Sequence, residues 1–371
     1  KLDSRACYLM PKAISFNPHK KRIDLHRVDY LRAISDAMEY PFQAEDGRDI
    51  APIQAELADA CISYSGLPYW SFTNCCTDSL QMAVQLLTNV GDRIIVPAYG
   101  WRAFSNAPTI MGREVDFCDI NETGNIDLNN LETMIKQKAP SAVIIVHNFG
   151  TIVDVSQIKG ICDLHGVKII EDSAPSFYMR EPYMYKPGHS SDVVCYSFDF
   201  TKFPGCLGSG GALGTSDSDL SDRIYELQAH GTDKNKQVVG VGTKSFMDNT
   251  SCAVLLKEFD IFEQNKYRER RRQNATWYKN NLPYKCISGE NYIWERYSMF
   301  VPFNEVDHVL EKLHSIKCLA RTMFKQPLNT YPFYSNQKYL PNVKKFVENL
   351  VHLPCHQFME QEELDRIKNI L

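Results

Sequence analysis

The sequence predicts an α/β protein built on a mainly parallel sheet, and three observations carry that expectation. Apolar, strand-like runs alternate with helical patterns from Arg93 to Asp172, and parallel strands need crossover helices of that kind. A β-branched run, Val193–Phe198, ends in a turn that holds Lys202 among Pro204 and glycines 205, 208, 210 and 211. Trp101, Asp172 and Ser197 all fall at or just beyond predicted strand C-termini, the edge of such a sheet where ligands bind.

Taken in order, the first fifty residues are poorly patterned. Pro11, Pro18 and the basic His19-Lys20-Lys21-Arg22 suggest an arm, with a short helix over Leu31–Met38. From Ile53 a helical face appears, Ile53, Leu57, Cys61 and Tyr64, with Pro52 at its start and Gly66 at its end. A strand over Tyr69–Thr73 leads through Asn74–Leu80 into a helical Gln81–Leu87. Strands at 93–97, 114–120, 141–146 and 167–172 then alternate with helices at 128–137 and 155–165. That rhythm calls for a sheet covered on both faces. After the Lys202 turn come a helix at 219–228, a polar glycine-rich loop at 231–244 that reads as mobile, and one long helix from Asp248 to Asn281. The boundary between two lobes is expected along that helix. Short strands at 297–301 and 318–322 and helices at 306–313, 343–350 and 361–371 complete the chain. His352 and His356, in the segment between the last two helices, read as structural.

Composition narrows the function. At 371 residues the chain can bury a large core, and 44% hydrophobic with 23% charged residues is ordinary for a soluble globular protein. A net charge of −4, with no basic block beyond Arg268–Arg272, argues against nucleic acid as a partner. No apolar run reaches membrane-spanning length and no signal peptide is visible. The 12 cysteines are scattered, mostly in apolar strands, with no C-x-x-C pair. They read as reduced thiols of a cytoplasmic protein, and metal-ligand spacing is absent.

Three stretches carry chemistry. Asn74-Cys75-Cys76-Thr77-Asp78 lies between a strand and a helix, where free backbone amides and the helix dipole converge on an anion such as phosphate. Plain N-capping by Thr77 or Asp78 would explain the same residues. Val167–Ala174 reads as a strand closing on Glu171-Asp172, with small residues beyond. Lys202, at a strand end walled by aromatics and glycines, is open to partial dehydration. Dehydration disfavours an ammonium and suits a nucleophilic lysine. KFPG alone would read as a surface lysine; the Asp172 stretch upstream reverses that.

A strand ending in Asp-x-Ala, followed by one ending in Ser-Phe-x-x-x-Lys, resembles the large domain of fold-type I pyridoxal-phosphate enzymes. More narrowly, EDSA at 171–174, YSFDFTK at 196–202 with its trailing GSGG, and NCCTDSL at 74–80 resemble the sugar aminotransferase family called DegT/DnrJ/EryC1/StrS. The resemblance runs from about Asp49 to Leu371. It implies an N-terminal arm over 1–48, a cofactor-binding α/β domain over 49–247 with a mainly parallel seven-stranded sheet, and a smaller α+β domain over 248–371 that opens with the long linking helix.

The resemblance also implies pyridoxal 5′-phosphate, carried covalently by Lys202, which then shuttles the substrate proton. Asp172 would face the pyridine nitrogen, with Trp101 and Ala174 on opposite faces of the ring. Ser197 and the amides of Cys76 and Thr77 would hold the phosphate. Lys244, where the family has an asparagine, would reach the phosphate of the partner subunit in a homodimer with shared sites. The implied reaction moves an amino group from an amino acid, usually glutamate, to a nucleotide-linked keto sugar in amino-sugar biosynthesis. The chain departs from the family at Cys75 and Cys76 (for Ser-Gly), Gly100 (for Thr), Pro175 (for Gln or His) and Asp199 (for His or Tyr).

Two other readings stand beside it. One is a sugar dehydratase on the same scaffold, against which Lys202 speaks, since one such group has histidine there. The other is a non-catalytic binding or regulatory descendant, kept open by Cys75, Cys76 and Pro175. A nicotinamide-binding Rossmann domain falls behind because G-x-G-x-x-G is absent between a first strand and helix.

Overall fold

The computed structural model describes residues 12–39, 51–177, 185–287, 292–334 and 339–371. Helices α1 (His19–Ala37) and α2 (Pro52–Ser65) come first, followed by strand β1 (Tyr69–Thr73) and helix α3 (Cys76–Leu87). Then come β2 (Arg93–Pro97), α4 (Ala103–Ile110), β3 (Glu114–Cys118), α5 (Leu128–Lys138), β4 (Ala142–Val146), α6 (Ser156–His165) and β5 (Lys168–Asp172). β6 (Val193–Ser197), β7 (Gly211–Thr215) and α7 (Ser218–Gln228) complete a seven-stranded sheet in the order β1-β7-β6-β5-β4-β2-β3. Its strands are parallel except β7, which runs antiparallel to both neighbours.

The sheet is buried on both faces, so its strands are near-continuous apolar runs; all five residues of β4, AVIIV, are buried. On one face Ile95, Val143, Ile145 and Ile169 pack with residues of α5 and α6, while Val194, Tyr196 and Ala212 pack with α1, α2 and α8 (Asn249–Gln264). On the other, Ile94, Ile144, Ile170 and Cys195 pack with α3, α4 and α7. Expectation and structure agree on this mainly parallel, two-sided α/β sheet.

After α8 come α9 (Tyr267–Asn281), β8 (Tyr297–Phe300), α10 (Val306–Ser315), α11 (Pro341–Asn349), β9 (Leu350–Leu353) and α12 (Gln361–Ile370). β8 and β9 pair antiparallel as a separate two-stranded sheet. It shares a second core with α9, α10 and α12.

Several local expectations are corrected. The predicted arm contains α1, which begins at His19 and not at Leu31. Its basic start is misleading because Arg22 is only 2% exposed. The guanidinium lies 3.2–3.5 Å from the carbonyls of Phe200, Lys202, Gly205 and Cys206 and 3.4 Å from the Glu258 carboxylate. α1 therefore props the Lys202 turn from beneath. Helix α3 starts at Cys76, five residues before the expected helical run. The long helix is two helices, because Lys266 takes a left-handed φ of 52° between α8 and α9. Residues 318–322 form no strand, only isolated bridges from Cys318 to Ile14 and from Arg321 to His352. The predicted junction at 48/49 lies outside the described residues.

Candidate active site

The C-terminal ends of β2, β4, β5 and β6 open on a cavity of about 580 Å³, within the range of small-molecule sites, roughly 300–1,000 Å³. It brings together Cys76, Thr77, Trp101, Asp172, Ala174, Ser197 and Lys202, seven residues singled out from sequence. Lys244 does not line it. That residue is exposed, on the loop before α8.

Asp172 closes β5 and is 4% exposed. Burial pushes its carboxyl above the usual range, and the Ala174 amide, Lys202 and His147 only partly hold it down. The Ala174 N–H donates to Oδ1 at 3.1 Å. Beneath it, Glu171 points the other way and is fully used, accepting from Tyr185 (2.8 Å), Gly188 (2.7 Å) and Ser191 (2.6 Å) and pairing with His147 at 2.8 Å. The strand alternation thus gives one carboxylate to the core and the next to the cavity.

Lys202 sits in a compact turn. Its N–H donates to the Asp199 carbonyl (2.7 Å), while Phe198 N–H to Gly210 O (2.8 Å) and Phe200 N–H to Gly208 O (2.7 Å) close the base. Asp199 is spent on the turn itself, accepting from the Thr201 amide (2.9 Å) and hydroxyl (2.6 Å).

The first turn of α3 faces the same cavity. Cys75 is its N-cap residue and supplies no side-chain hydrogen bond to the helix amides. Capping by Thr77 or Asp78 is therefore not what occupies them. Asp78 is turned aside, accepting from the Ser245 hydroxyl (2.6 Å) and the Cys75 thiol (3.3 Å). Gly211 packs directly against this turn, and a Cβ there would stand 2.3 Å from the Cys75 carbonyl carbon and 2.5 Å from the Cys76 nitrogen. Gly100 is similarly constrained. Its φ is +138°, and a Cβ would meet Asn148 Oδ1 at 2.8 Å, so a threonine would not fit there.

Sequence reasoning missed the wall supplied by the C-terminal region. Glu295, Arg296 and Arg321 all line the cavity. Glu295 Oε1 lies 3.5 Å from Lys202 Nζ, and Oε2 lies 2.7 Å from Arg296 Nη2. The guanidinium of Arg321 stacks over Phe16 at 3.9 Å. The available signal was an opposite-charge pair, Glu295-Arg296, set between Trp294 and Tyr297 in an otherwise apolar run. Among the described residues no cluster of three or more His, Cys, Asp or Glu could hold a metal ion.

Comparison with known proteins identifies the family. The DegT/DnrJ/EryC1/StrS aminotransferase family matches residues 36–371. A Pseudomonas aeruginosa protein, UDP-2-acetamido-2-deoxy-3-oxo-D-glucuronate aminotransferase, is 29% identical over 84% of this chain and 88% of its own. Among solved structures, a DegT DnrJ EryC1 StrS aminotransferase from Brucella abortus superposes with a TM-score of 0.85 at 24% identity, covering 96% of this chain and 98% of that one. NtdA from Bacillus subtilis, solved with bound cofactor PMP, gives 0.85 at 22% identity, over 96% of this chain and 84% of the other. The fold is that of the fold-type I aminotransferases.

Proposed function

Because the chain belongs to the DegT/DnrJ/EryC1/StrS aminotransferase family, we propose that this cavity is the active site of a pyridoxal-phosphate-dependent sugar aminotransferase. The donor is an amino acid, glutamate first, and the acceptor a nucleotide-linked keto sugar, as the name of the Pseudomonas aeruginosa relative suggests. The observation that carries this reading is the meeting of Lys202, buried Asp172 and the open first turn of α3 in one cavity.

The residues present fit the cofactor. A carboxylate buried at the end of β5 and opening on the cavity suits a cationic ring nitrogen, which would offset the burial of its charge. A helix N-terminus without a side-chain cap, approached so closely by Gly211 that no Cβ is admitted, suits a phosphate. When bound, pyridoxal phosphate supplies an aldehyde that takes up amines and a ring that accepts the electron pair of a breaking C–H bond. Lys202 would bind it covalently and, once released, carry the proton. Asp172 would keep the ring nitrogen protonated. Trp101 and Ala174 would flank the ring, and Ser197 with the amides of Cys76 and Thr77 would hold the phosphate.

The same reading divides the chain into an arm (1–48), a cofactor-binding domain (49–247) and a smaller domain (248–371). It also makes the enzyme a homodimer to which Lys244 of each subunit contributes across the interface. Among the described residues eleven cysteines are free and nine of them are buried, which favours a reducing, cytoplasmic setting. Among the described residues no helix is long and apolar enough to cross a membrane.

The test is colour followed by mapping. Protein loaded with pyridoxal phosphate should absorb in the visible and change spectrum with glutamate. Borohydride reduction and peptide mapping should then tag Lys202, and Lys202→Ala should be inactive but folded. A screen of UDP-, GDP- and dTDP-linked keto sugars by mass spectrometry identifies the acceptor. A tag on any other lysine, or no colour at all, sinks the reading.

A further inference from the structure

We propose that Glu295 is a catalytic residue: its carboxylate stabilises the ammonium that Lys202 forms on taking the substrate proton, and so drives that transfer. The inference rests on the reading of Lys202 as the cofactor-bearing lysine.

Glu295 is the carboxylate that reaches the reacting nitrogen. Its side chain is 16% exposed and Oε1 is 3.5 Å from Lys202 Nζ. The other two carboxylates in the cavity are committed elsewhere. Asp199 is held by Thr201, and Asp172, at the end of β5, would be taken up by the ring nitrogen. Backbone geometry points the same way. In an extended strand, successive side chains leave on opposite sides, yet Glu295 and Arg296 both line the cavity. They follow Trp294, whose φ of +55° is a left-handed conformation that tryptophan seldom adopts. Such strain tends to gather where a site needs a particular placement.

Arg296 gives the carboxylate its permanence. Burial alone would raise the pKa of Glu295, but Arg296, Lys202 and Arg271 bring it down to about 2. With Arg296 Nη2 at 2.7 Å, Glu295 keeps a cationic partner while Lys202 is bonded to the cofactor and carries no free ammonium. The charge is thus in place before it is needed, which is the condition for electrostatic stabilisation of a developing ion. In the step itself, the C–H bond at the amino-bearing carbon of the substrate breaks. The proton goes to Nζ and the electron pair stays on the carbon side. The ammonium so formed faces Oε1 until it returns the proton to make the new C–H bond.

A carboxylate that favours the ammonium also makes the free lysine a poorer nucleophile. Removing the charge should therefore move two rates in opposite directions, which a structural role would not do. In full-length Glu295→Gln, stripped of cofactor and mixed with pyridoxal phosphate at pH 7, attachment followed by stopped-flow absorbance should be several-fold faster than in the parent. With L-glutamate, the first half-reaction of the loaded variant should slow on the order of tenfold or more, with a larger α-deuterium isotope effect and little change in donor KM. Glu295→Asp, which keeps the charge but withdraws it, should fall between the two and carries the test if the Gln variant does not fold. Attachment that is unchanged or slowed overturns the assignment, as does a half-reaction rate within about twofold of the parent. Borohydride mapping separates the failures. A tag away from Lys202 brings down both readings, whereas a tag on Lys202 with both rates slowed brings down only that of Glu295.

Discussion

At Asp172 burial and function pull in opposite directions. The carboxylate has lost most of its water and gains a hydrogen bond from the Ala174 amide in return, so its ionised form is left without a strong local partner. A protonated pyridine nitrogen would supply one. Two unit charges about 4 Å apart, at an effective dielectric near 20, interact by about 4 kcal/mol, or roughly three pKa units. Asp172→Asn keeps the shape and removes that interaction. The variant should bind pyridoxal phosphate but lose on the order of a hundredfold or more in transamination rate, read in single-turnover kinetics with glutamate. A rate within a few-fold of the parent would make Asp172 a packing residue. Cys76 plays no comparable part, because desolvation raises its thiol; its contribution to the cradle would be the backbone amide. Pro175 lines the cavity without a side-chain donor.

Between β8 and β9 the register sets Ser298 opposite His352, and Ser298 Oγ lies 2.8 Å from His352 Nδ1. His352 is wholly buried and His356, just beyond β9, is 4% exposed with Nε2 3.0 Å from the Ser15 carbonyl. Burial lowers both, His352 well below the usual histidine range and His356 to about 3. The unfolded chain takes up these protons near pH 6.5 and the fold does not. Their stabilisation is therefore present above pH 6.5 and is lost as pH falls below it, down to about 3 for His356. From pH 7 to 5 His356 should account for about 2 kcal/mol of lost stability, and His352 adds to it in the same sense. Asp172 and Glu258, both raised by burial, work in the opposite sense, and comparison with a variant cancels them. Urea denaturation of His356→Gln at pH 7, 6 and 5 should show about 2 kcal/mol of the pH-dependent loss removed; an unchanged pH dependence would rule His356 out as its source. The structural role expected of these histidines is of this kind. Other elements differed in how plainly the sequence announced them. β2, β4, β5 and β6 were legible because strands covered on both faces are continuous apolar runs, and Trp101, Asp172 and Ser197 followed from where those runs end. α1 was not, because its polar start is held in place by carbonyls nearly two hundred residues away. Nor was the break at Lys266, which uses neither Gly nor Pro. Glu295 and Arg296 escaped for a related reason. They reach the cavity through tertiary placement of β8, and no local pattern encodes that.

At the scale of the molecule, the question is what covers the loop before α8. Val238, Val239 and Val241 are 80%, 54% and 88% exposed, three apolar side chains within four positions of one loop, the kind of patch a protein surface seldom leaves to water. A few residues on, the chain is pinned. Ser245 donates to Asp78 and accepts from the Asn74 amide, at 2.6 and 3.1 Å, and Gln228 donates to the Ser245 carbonyl. The loop therefore leaves the first turn of α3 with Lys244 exposed. A second copy packed over the valines would meet that lysine. A full positive charge arriving from the partner would compensate a phosphate dianion that has lost the family's serine hydroxyl at Cys75 and has Asp78 nearby. Subunit mixing tests this arrangement. Lys202→Ala and Lys244→Glu homodimers should each be weak. Co-refolded in equal amounts, they should recover roughly a quarter of the parent activity, since half of the dimers are hybrids with one site that has both native residues. Heterodimers confirmed by mass, with both parents impaired and no recovered activity, would return Lys244 to the solvent and leave each site to a single chain.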